Sequence, residues 1–241
     1  MLYLISLGLF DEKDVSLRAI EAAKECDRLY VEFYTTGMHT TKEKLSSTIG
    51  KEVIEISRSG LEERSDAIIK QAQLKNVGIM AGGDILSATT HISILLDARK
   101  MGVKVEVIHG SSVMSAAAKT GLQLYKLGRT VTLTNESAMS CYEGIVNNKK
   151  VGLHTLVLLD IPMTVSEGLA ILVGLEEKGE KGIITGETKL VAACQLGGPG
   201  EAIRYGTIKE LQGDKALDNR PAVIIVPGEL HFFEKEYLES L

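Results

Sequence analysis

The first half of the chain alternates short apolar runs with stretches of helical periodicity. The apolar runs that predict β-strands are LYLISLGL, RLYVEFY, KEVIEI, VGIMAG and KVEVIHG. A helix is predicted between each of these strands and the next. In the first such helix the apolar positions recur at intervals of three and four, at Val15, Ala19, Ala22 and Cys26. Asp14 and Ser59 are predicted to cap two of the helices. This repeated βα pattern predicts a mostly parallel sheet covered by helices.

The second half of the chain has a different pattern. The helices predicted there are SVMSAAAKTGLQLY, AMSCYEGIVNNKK, TVSEGLAILVGLEEKG and FFEKEYLESL, and the strands include RTVTLT, LHTLVLLDI and AVIIVPG. Two further strands, TKLVAACQLG and EAIRYGTI, are joined by GPG and predict a β-hairpin, which indicates a mixed sheet. The predicted fold class is therefore α/β with two domains, residues 1–112 and 113–241. We expect them to pack closely, because no long linker separates them.

Composition and charge exclude several classes of protein. The chain has 241 residues, of which 44% are hydrophobic and 24% charged, and it carries a net charge of −5. This balance is typical of a soluble protein, and the acidic charge argues against a nucleic-acid partner. The longest apolar runs are too short to span a membrane, and no signal peptide is predicted. The three cysteines do not form a CxxC motif, so we expect a cytoplasmic protein with reduced thiols. The five histidines are scattered along the sequence, so we expect no metal site.

Candidate chemistry lies at three strand ends in the first half. These are SLGLFDEKD, AGGDILSATTH and IHGSSVMSA. Ligands of open α/β sheets bind outside the carboxyl ends of the strands, where glycine lets a ligand approach the backbone closely. Each strand end taken singly is weak evidence, because glycine is also common wherever the chain must turn. The motifs GxGxxG, GxxxxGK[ST] and GxSxG are absent, which argues against a dinucleotide fingerprint, a P-loop and an α/β-hydrolase.

Taken together, several segments resemble one known family. The segments, in order, are MLYLISLGLFDEKDVSL, AGGDILSATTH, IHGSSVMSAAAKTGLQLYKLGRTVTL, GLHTLVLLDI and VPGELHFFEKEYL. They resemble the diphthine synthase family, a branch of the tetrapyrrole methylase superfamily, from Met1 to about Leu238. The resemblance implies a cofactor cleft between two domains and methyl transfer from S-adenosylmethionine, which leaves S-adenosylhomocysteine. The implied acceptor is the amino group of an aminocarboxypropyl-histidine on translation elongation factor 2, an intermediate of diphthamide biosynthesis. Archaeal-type members trimethylate this amine, and eukaryotic members also methylate the carboxylate. A homodimer is implied as well.

The resemblance also implies cofactor contacts, but it provides no catalytic side chain. The implied contacts are Leu9, Asp84, Ser87, Ser112, Val113, Leu159, Cys194 (or its neighbour Ala193) and His231. We expect Asp84 to orient the cofactor and not to act as a base. The apolar residues of this set are also explained by core packing. For His231, a role as the cap of the last helix is as well supported as a cofactor contact. His91 is interpreted as a cap or a packing residue.

The sequence departs from the family pattern in three places. Ser6 replaces a glycine of the first loop, the prolines of a PGDP segment are missing in GGDI, and an aromatic segment is shortened to TNESAMSCYEG. These changes affect, respectively, the approach of a ligand, the stiffness of the loop and the docking of a protein substrate.

Two other functions remain open from the residues alone. The first is a methyltransferase of the same superfamily that acts on a corrin precursor or on ribosomal RNA. The second is a regulator without catalysis that binds a nucleoside-like ligand.

Overall fold

A parallel β-sheet forms the centre of the first half of the chain. The computed structural model describes residues 1–136 and 138–241, and the chain divides into two units, Met1–Met114 and Ser115–Leu241. The strands of the first unit, all of whose residues are described, are β1 (Leu2–Ser6), β2 (Arg28–Glu32), β3 (Ile54–Glu55), β4 (Val77–Ala81) and β5 (Val105–Ile108). Their order is β3-β2-β4-β1-β5 and all pairings are parallel. All the loops that follow these strands therefore start at one edge of the sheet.

Helices cover both faces of this sheet. They are α1 (Leu17–Glu25), α2 (Lys42–Ile49), α3 (Ser65–Ala72) and α4 (Ile92–Lys100), followed by the short α5 (Val113–Ala116). Side chains alternate along a strand, so the two faces of β1 bury different residues. Tyr3 and Ile5 pack in one core cluster with residues of α1 and α2. Leu2 and Leu4 pack in another with residues of α3 and α4.

Both helix caps predicted in the first half are wrong. Ser16, and not Asp14, caps α1, because its Oγ accepts a hydrogen bond from the Ala19 amide at 3.1 Å. Asp14 instead accepts from the Phe10 amide at 2.7 Å, within the loop after β1. Ser59 does not cap a helix, since it lies inside a π-helical turn (59–63) that precedes α3. The cap prediction failed because several hydroxyl and carboxyl side chains compete for the same amides at each helix start.

A mixed sheet forms the second unit, as predicted. Its strands, in the described residues, are β6 (Val131–Leu133), β7 (Thr155–Leu159), β8 (Lys189–Cys194), β9 (Ala202–Thr207) and β10 (Ala222–Val226), in the order β6-β7-β10-β8-β9. The pairing of β6 with β7 is parallel and the other pairings are antiparallel, including the predicted hairpin of β8 and β9. The helices are α6 (Ala138–Lys150), α7 (Val165–Gly179), α8 (Ile208–Gln212) and α9 (Phe232–Leu238). The α/β fold class is confirmed.

Two predicted features of the second half need correction. The stretch SVMSAAAKTGLQLY is not one helix, because α5 gives way to 3-10 turns at residues 117–120 and 124–126. Gly121 separates these turns with a φ of +83°, in the left-handed region that favours glycine. Helix α8 was missed, although Thr207 and Glu210 at its start form a capping box whose T-x-x-E spacing is visible in the sequence.

Among the described residues, no helix combines the length and apolar character needed to cross a membrane.

Replacing Gly121 by alanine should destabilise the second unit. A Cβ at this position overlaps the ring of Tyr237, and the positive φ adds strain. Gly182 is a matched control, since its φ is +67° but a Cβ added there would have no atom within 4 Å. We expect Gly182→Ala to cost about 1 kcal/mol from backbone strain alone, and Gly121→Ala to cost about 1–3 kcal/mol more. Urea unfolding of both variants measures this difference, and equal losses would contradict the packing of α9 against Gly121.

Candidate functional site

The loops after β1 and β4 are joined by backbone hydrogen bonds at the carboxyl edge of the parallel sheet. The Gly8 amide donates to the Gly83 carbonyl at 3.2 Å, and the Gly83 amide donates to the Gly8 carbonyl at 2.6 Å. Gly8 has a φ of +88°, and a Cβ there would lie 2.5 Å from the Cβ of Asp14. Glycine is therefore required at position 8, because a side chain there would collide with Asp14.

Asp84 fixes the loop after β4 to the loop after β5. Its Oδ1 accepts from the Leu86 amide at 3.0 Å and from Ser87 Oγ at 3.2 Å. Its Oδ2 lies 2.7 Å from Nδ1 of His109 and accepts from the Gly110 amide at 3.3 Å. Burial opposes the charge, but the hydrogen bonds from His109 and the amides outweigh it and lower the pKa of Asp84. These four donors take up the usual acceptor capacity of a carboxylate.

Ser6, which replaces a glycine of the family pattern, has a structural role. Its side chain is buried at the end of β1, and its Oγ accepts from the Ile85 amide at 2.9 Å. A Cβ on Gly110 would lie 2.7 Å from the Cβ of Ser6, so the two positions are matched in size. The serine therefore ties β1 to the loop after β4.

The other two departures lie in different surroundings. In GGDI, a Cβ on Gly82 would lie 2.9 Å from side-chain atoms of Met38 and Thr36, so this glycine allows close packing. In TNESAMSCYEG, Ser137 lies outside the described residues, and Cys141 and Tyr142 are buried in the core of the second unit.

Most of the predicted contacts of the first unit come together at this edge. Asp84 and Ser87 are hydrogen-bonded to each other. Leu9 follows Gly8 directly, and the Cβ of Ser112 lies 3.9 Å from the Cβ position of Gly83. Val113 is the first residue of α5. The sequence missed His109, which follows β5 directly, is mostly exposed and is held by Asp84.

In the second unit, Leu159 and Cys194 lie at one edge of the mixed sheet. β7 and β8 both run antiparallel to β10, so their carboxyl ends flank the start of that strand. Leu159 is half-buried and packs against the core. The thiol of Cys194 is buried in the same core and donates to the Ala216 carbonyl at 3.2 Å, and burial raises its pKa. A ligand contact at Cys194 would therefore fall to the backbone, as it would at its buried neighbour Ala193.

His231 lies beyond the opposite edge of that sheet, after the carboxyl end of β10. Its interpretation as a helix cap is confirmed. Nδ1 of His231 accepts from the Phe233 amide at 3.3 Å, and Glu234 accepts from the His231 amide at 2.7 Å, which completes a capping box. The length of β7 separates this edge from Leu159 by about 13 Å. The structure thus does not bring His231 next to the other predicted contacts of the second unit.

The first unit can thus offer a ligand a glycine-containing edge that includes the exposed imidazole of His109. Backbone groups and small side chains of this kind suit a ligand with several polar groups, such as a nucleoside or an amino acid. Among the described residues, no group of three His, Cys, Asp or Glu side chains could hold a metal ion.

Comparisons with known proteins show to which family the chain belongs. The sequence profile of the tetrapyrrole (corrin/porphyrin) methylases matches residues 1–212. A diphthine synthase of Methanococcus maripaludis is 38% identical over 254 residues, which cover 100% of this chain and 98% of that protein. The chain belongs to the diphthine synthase family of tetrapyrrole methylases. A crystal structure of a diphthine synthase superimposes with a TM-score of 0.93 at 32% identity, covering 99% of this chain and 94% of the other. The resemblance seen in the sequence is confirmed.

A second relative in the diphthine synthase family has a different name. The diphthine methyl ester synthase of Schizosaccharomyces pombe is also 38% identical, over 265 residues that cover 100% of this chain and 94% of that protein. Overall identity therefore assigns the chain to the diphthine synthase family but does not choose between the products of the two relatives.

Three of the segments that carry the diphthine synthase resemblance meet at Glu234. This buried carboxylate accepts from Nε2 of His154 at 2.9 Å, from Nζ of Lys126 at 2.8 Å and from the Gln123 amide at 2.8 Å. Burial opposes its charge, but the bond from Lys126, the backbone amides and His154 outweigh burial and lower the pKa of Glu234 to about 2. The network holds α9, the start of β7 and the turn at 124–126 together, and with them the position of His231.

Glu234 should make the stability of the protein depend on acidic pH. Its folded-state pKa of about 2 lies below the ordinary value of 4.5. Its contribution is therefore complete above pH 4.5 and is lost as the pH falls from 4.5 towards 2. A Glu234→Gln variant lacks this contribution, so its unfolding free energy should fall less steeply with decreasing pH than that of the unchanged protein. The difference between the two slopes should be up to about 1.4 kcal/mol per pH unit.

Urea unfolding between pH 6 and pH 3 measures these slopes. Glu236→Gln is the matched control, because Glu236 is exposed on the same helix. Parallel slopes for the Glu234→Gln variant and the unchanged protein would show that Glu234 is not held as a charged acceptor.

Proposed function

We propose that the protein is a methyltransferase that transfers methyl groups from S-adenosylmethionine to the amino group of the aminocarboxypropyl-histidine of elongation factor 2. We propose that it adds three, in diphthamide biosynthesis. The observation that carries this proposal is the 38% identity to a diphthine synthase over the whole chain. The loop arrangement of the first unit supports it, because the glycines that carry the family resemblance line one sheet edge.

The residues of the first unit fit a cofactor of this kind. Gly83 is partly exposed, and a Cβ there would lie 3.9 Å from the Cβ of Ser112, so the absence of a side chain at this position lets a ligand approach the backbone closely. S-adenosylmethionine would supply a methyl group on a positively charged sulfur for in-line transfer to a neutral amine. We propose Leu9, Asp84, Ser87, Ser112 and Val113 as its contacts in the first unit, and Leu159, Cys194 and His231 in the second.

Asp84 is proposed to position the cofactor loop without removing the proton of the acceptor. Its lowered pKa makes it a weak base, and each of its oxygens already has two donors among the described residues. Its loop holds the backbone of residues 82–87 in one conformation, which is the form of positioning that accelerates a transfer without acid catalysis. We propose that water or a side chain other than Asp84 takes the proton of the amine.

We also propose a cytoplasmic homodimer that acts on elongation factor 2 as its protein substrate. The apolar helix α7 is one candidate surface for the dimer. In the structure, the apolar residues of α7 that are fully buried belong to the core of the second unit: Val165, Leu169, Leu172 and Leu175. Core packing therefore accounts for the apolar face of α7, and the dimer proposal rests on the resemblance.

Mass spectrometry tests the proposed reaction directly. The protein is incubated with S-adenosylmethionine and elongation factor 2 that carries the unmethylated intermediate, and the mass of the modified peptide is followed. A gain of three methyl groups is expected, and a fourth would indicate methylation of the carboxylate. No gain while the cofactor is bound would overturn the proposal in favour of another acceptor, such as a corrin precursor or RNA, or of a regulator without catalysis.

An Asp84→Asn variant should bind S-adenosylhomocysteine at least about tenfold more weakly, because the amide cannot accept from all four donors and the loop loses its charged anchor. Isothermal titration calorimetry measures the affinity. Asp97→Asn is the control, since Asp97 is an acidic residue of α4 that pairs with Lys100 at the surface. Unchanged affinity combined with lost turnover in the Asp84→Asn variant would contradict a positioning role and would indicate a chemical one.

A further inference from the structure

Glu32 and His91 form a buried pair behind the loop after β4. Both side chains are essentially inaccessible, with 0% and 1% of their surface exposed. Nδ1 of His91 lies 3.0 Å from the Ile85 carbonyl, and its Nε2 lies 3.7 Å from Oε1 of Glu32. Neither Nε2 nor Oε1 has a hydrogen-bond partner among the described residues. A pair of buried polar atoms without partners is costly, so this arrangement requires an explanation.

The neighbours of the imidazole determine where its protons lie. The Ile85 carbonyl can only accept, so Nδ1 of His91 must carry a proton. The Oε1 atom of Glu32 faces the other nitrogen, while Oε2 accepts from the amides of Tyr34 and Thr35, both at 2.9 Å. If Nε2 carried no proton, its lone pair would face a carboxylate oxygen in a site buried from solvent. One proton between the two groups removes this conflict and makes the buried pair neutral overall, and we place it on the ring because an imidazole is a stronger base than a carboxylate.

His154 of the same chain shows the opposite arrangement. It is also buried and also faces a glutamate, since its Nε2 lies 2.9 Å from Oε1 of Glu234. Its Nδ1, however, accepts from the Gly228 amide at 2.9 Å and cannot carry a proton. His154 is therefore neutral, and burial lowers its pKa, against the bond to Glu234. The two histidines differ because one faces an acceptor at each nitrogen and the other faces a donor at Nδ1.

We infer that His91 is a doubly protonated imidazolium paired with Glu32, and that it acts as a positioning residue for the proposed cofactor loop through the Ile85 carbonyl. Ile85 is held on both sides, because its amide donates to Ser6 and its carbonyl accepts from His91. The same carbonyl also accepts from Oγ1 of Thr89 at 2.6 Å, so His91 is one of two side chains that hold it. It lies between Asp84 and Ser87, so its orientation sets the direction of both. The positioning role rests on the proposed function, whereas the protonation state does not.

Other charged groups near the pair leave this assignment intact. Tyr34 has a buried hydroxyl without a partner among the described residues, and it lies close enough to Glu32 and Glu62 for their charges to act on it. Arg58 stacks over the ring of Tyr34, with its guanidinium carbon 5.0 Å from the ring centre. Glu62 accepts from Oγ1 of Thr90, the residue next to His91, at 3.3 Å. Among the described residues, none of these groups hydrogen-bonds to Nε2 of His91 or to Oε1 of Glu32.

Nitrogen-15 NMR of the histidine side chains tests the protonation state at pH 7. We expect His91 to show protons on both ring nitrogens, and His154 to show the neutral form with its proton on Nε2. In a Glu32→Gln variant the amide can donate to Nε2, so His91 should convert to the neutral form with its proton on Nδ1. A neutral His91 in the unchanged protein would overturn the assignment.

Paired variants test the positioning role without leaving Glu32 as an unpaired charge. In the Glu32→Gln background, His91→Asn places an amide donor near the Nδ1 position. His91→Ala removes one of two side-chain donors, because Oγ1 of Thr89 also donates to the Ile85 carbonyl, at 2.6 Å. We expect the Asn variant to keep its affinity for S-adenosylhomocysteine and the Ala variant to lose about tenfold, as for a lost buried hydrogen bond. Thermal unfolding of both variants checks that they are folded.

The outcomes separate the two proposals. Equal affinities of the Asn and Ala variants would overturn the positioning role. If the unchanged protein did not bind S-adenosylhomocysteine at all, the proposed function would fail and the positioning role with it, while the NMR result would still decide the charge of His91.

Discussion

The edge of the parallel sheet depends on the hydrogen bonds that the Asp84 carboxylate accepts. Parallel strands place the ends of their loops side by side, but glycine-rich loops have many conformations and lose much entropy on folding. A buried carboxylate is stable only when its oxygens are satisfied. The donors from the loops after β4 and β5 must therefore occupy their places together. One charge thus selects one conformation for two loops, and the bond from Ile85 to Ser6 extends this order to β1.

The second unit uses the same physical solution at Glu234. Its donors come from three segments that are far apart in the sequence, and one of them, Lys126, also carries the compensating charge. The pair of Glu32 with His91 in the first unit is a third case, in which the compensating charge resides on a histidine. A buried carboxylate that lacks some of its hydrogen bonds is energetically costly. Such carboxylates therefore favour the single arrangement of the chain in which all the donors are in place. In this protein each of them accepts from at least one backbone amide outside the strands and α-helices, such as those of Gly110, Gln123 and Tyr34.

Periodicity in the sequence predicted elements that are held by local and apolar interactions. The βα alternation identified β1, β4 and α1, because side chains that are buried at regular intervals produce a periodic pattern of apolar residues in the sequence. It failed where side chains compete for the same amides, as at Asp14 and Ser16, and where one glycine breaks a helical pattern, as at Gly121. Within the site, Asp84 and Ser87 are close in sequence and were found together. The bonds of Asp84 to His109 and of Glu234 to His154 span 25 and 80 residues, and no local pattern marks them.

The buried networks also bear on why two relatives with different names are equally similar to this chain. Overall identity measures mainly what holds the fold together, such as cores and the carboxylates that order the loops. The choice of product depends on groups that face the acceptor, and such groups lie on loop surfaces, which vary at little cost to the fold. For the site proposed at the edge of the parallel sheet, a comparison limited to exposed residues such as His109 would therefore carry more information about the product than the identity of the whole chain. In the proposed function, the framework holds the cofactor in one geometry and the surface selects the acceptor.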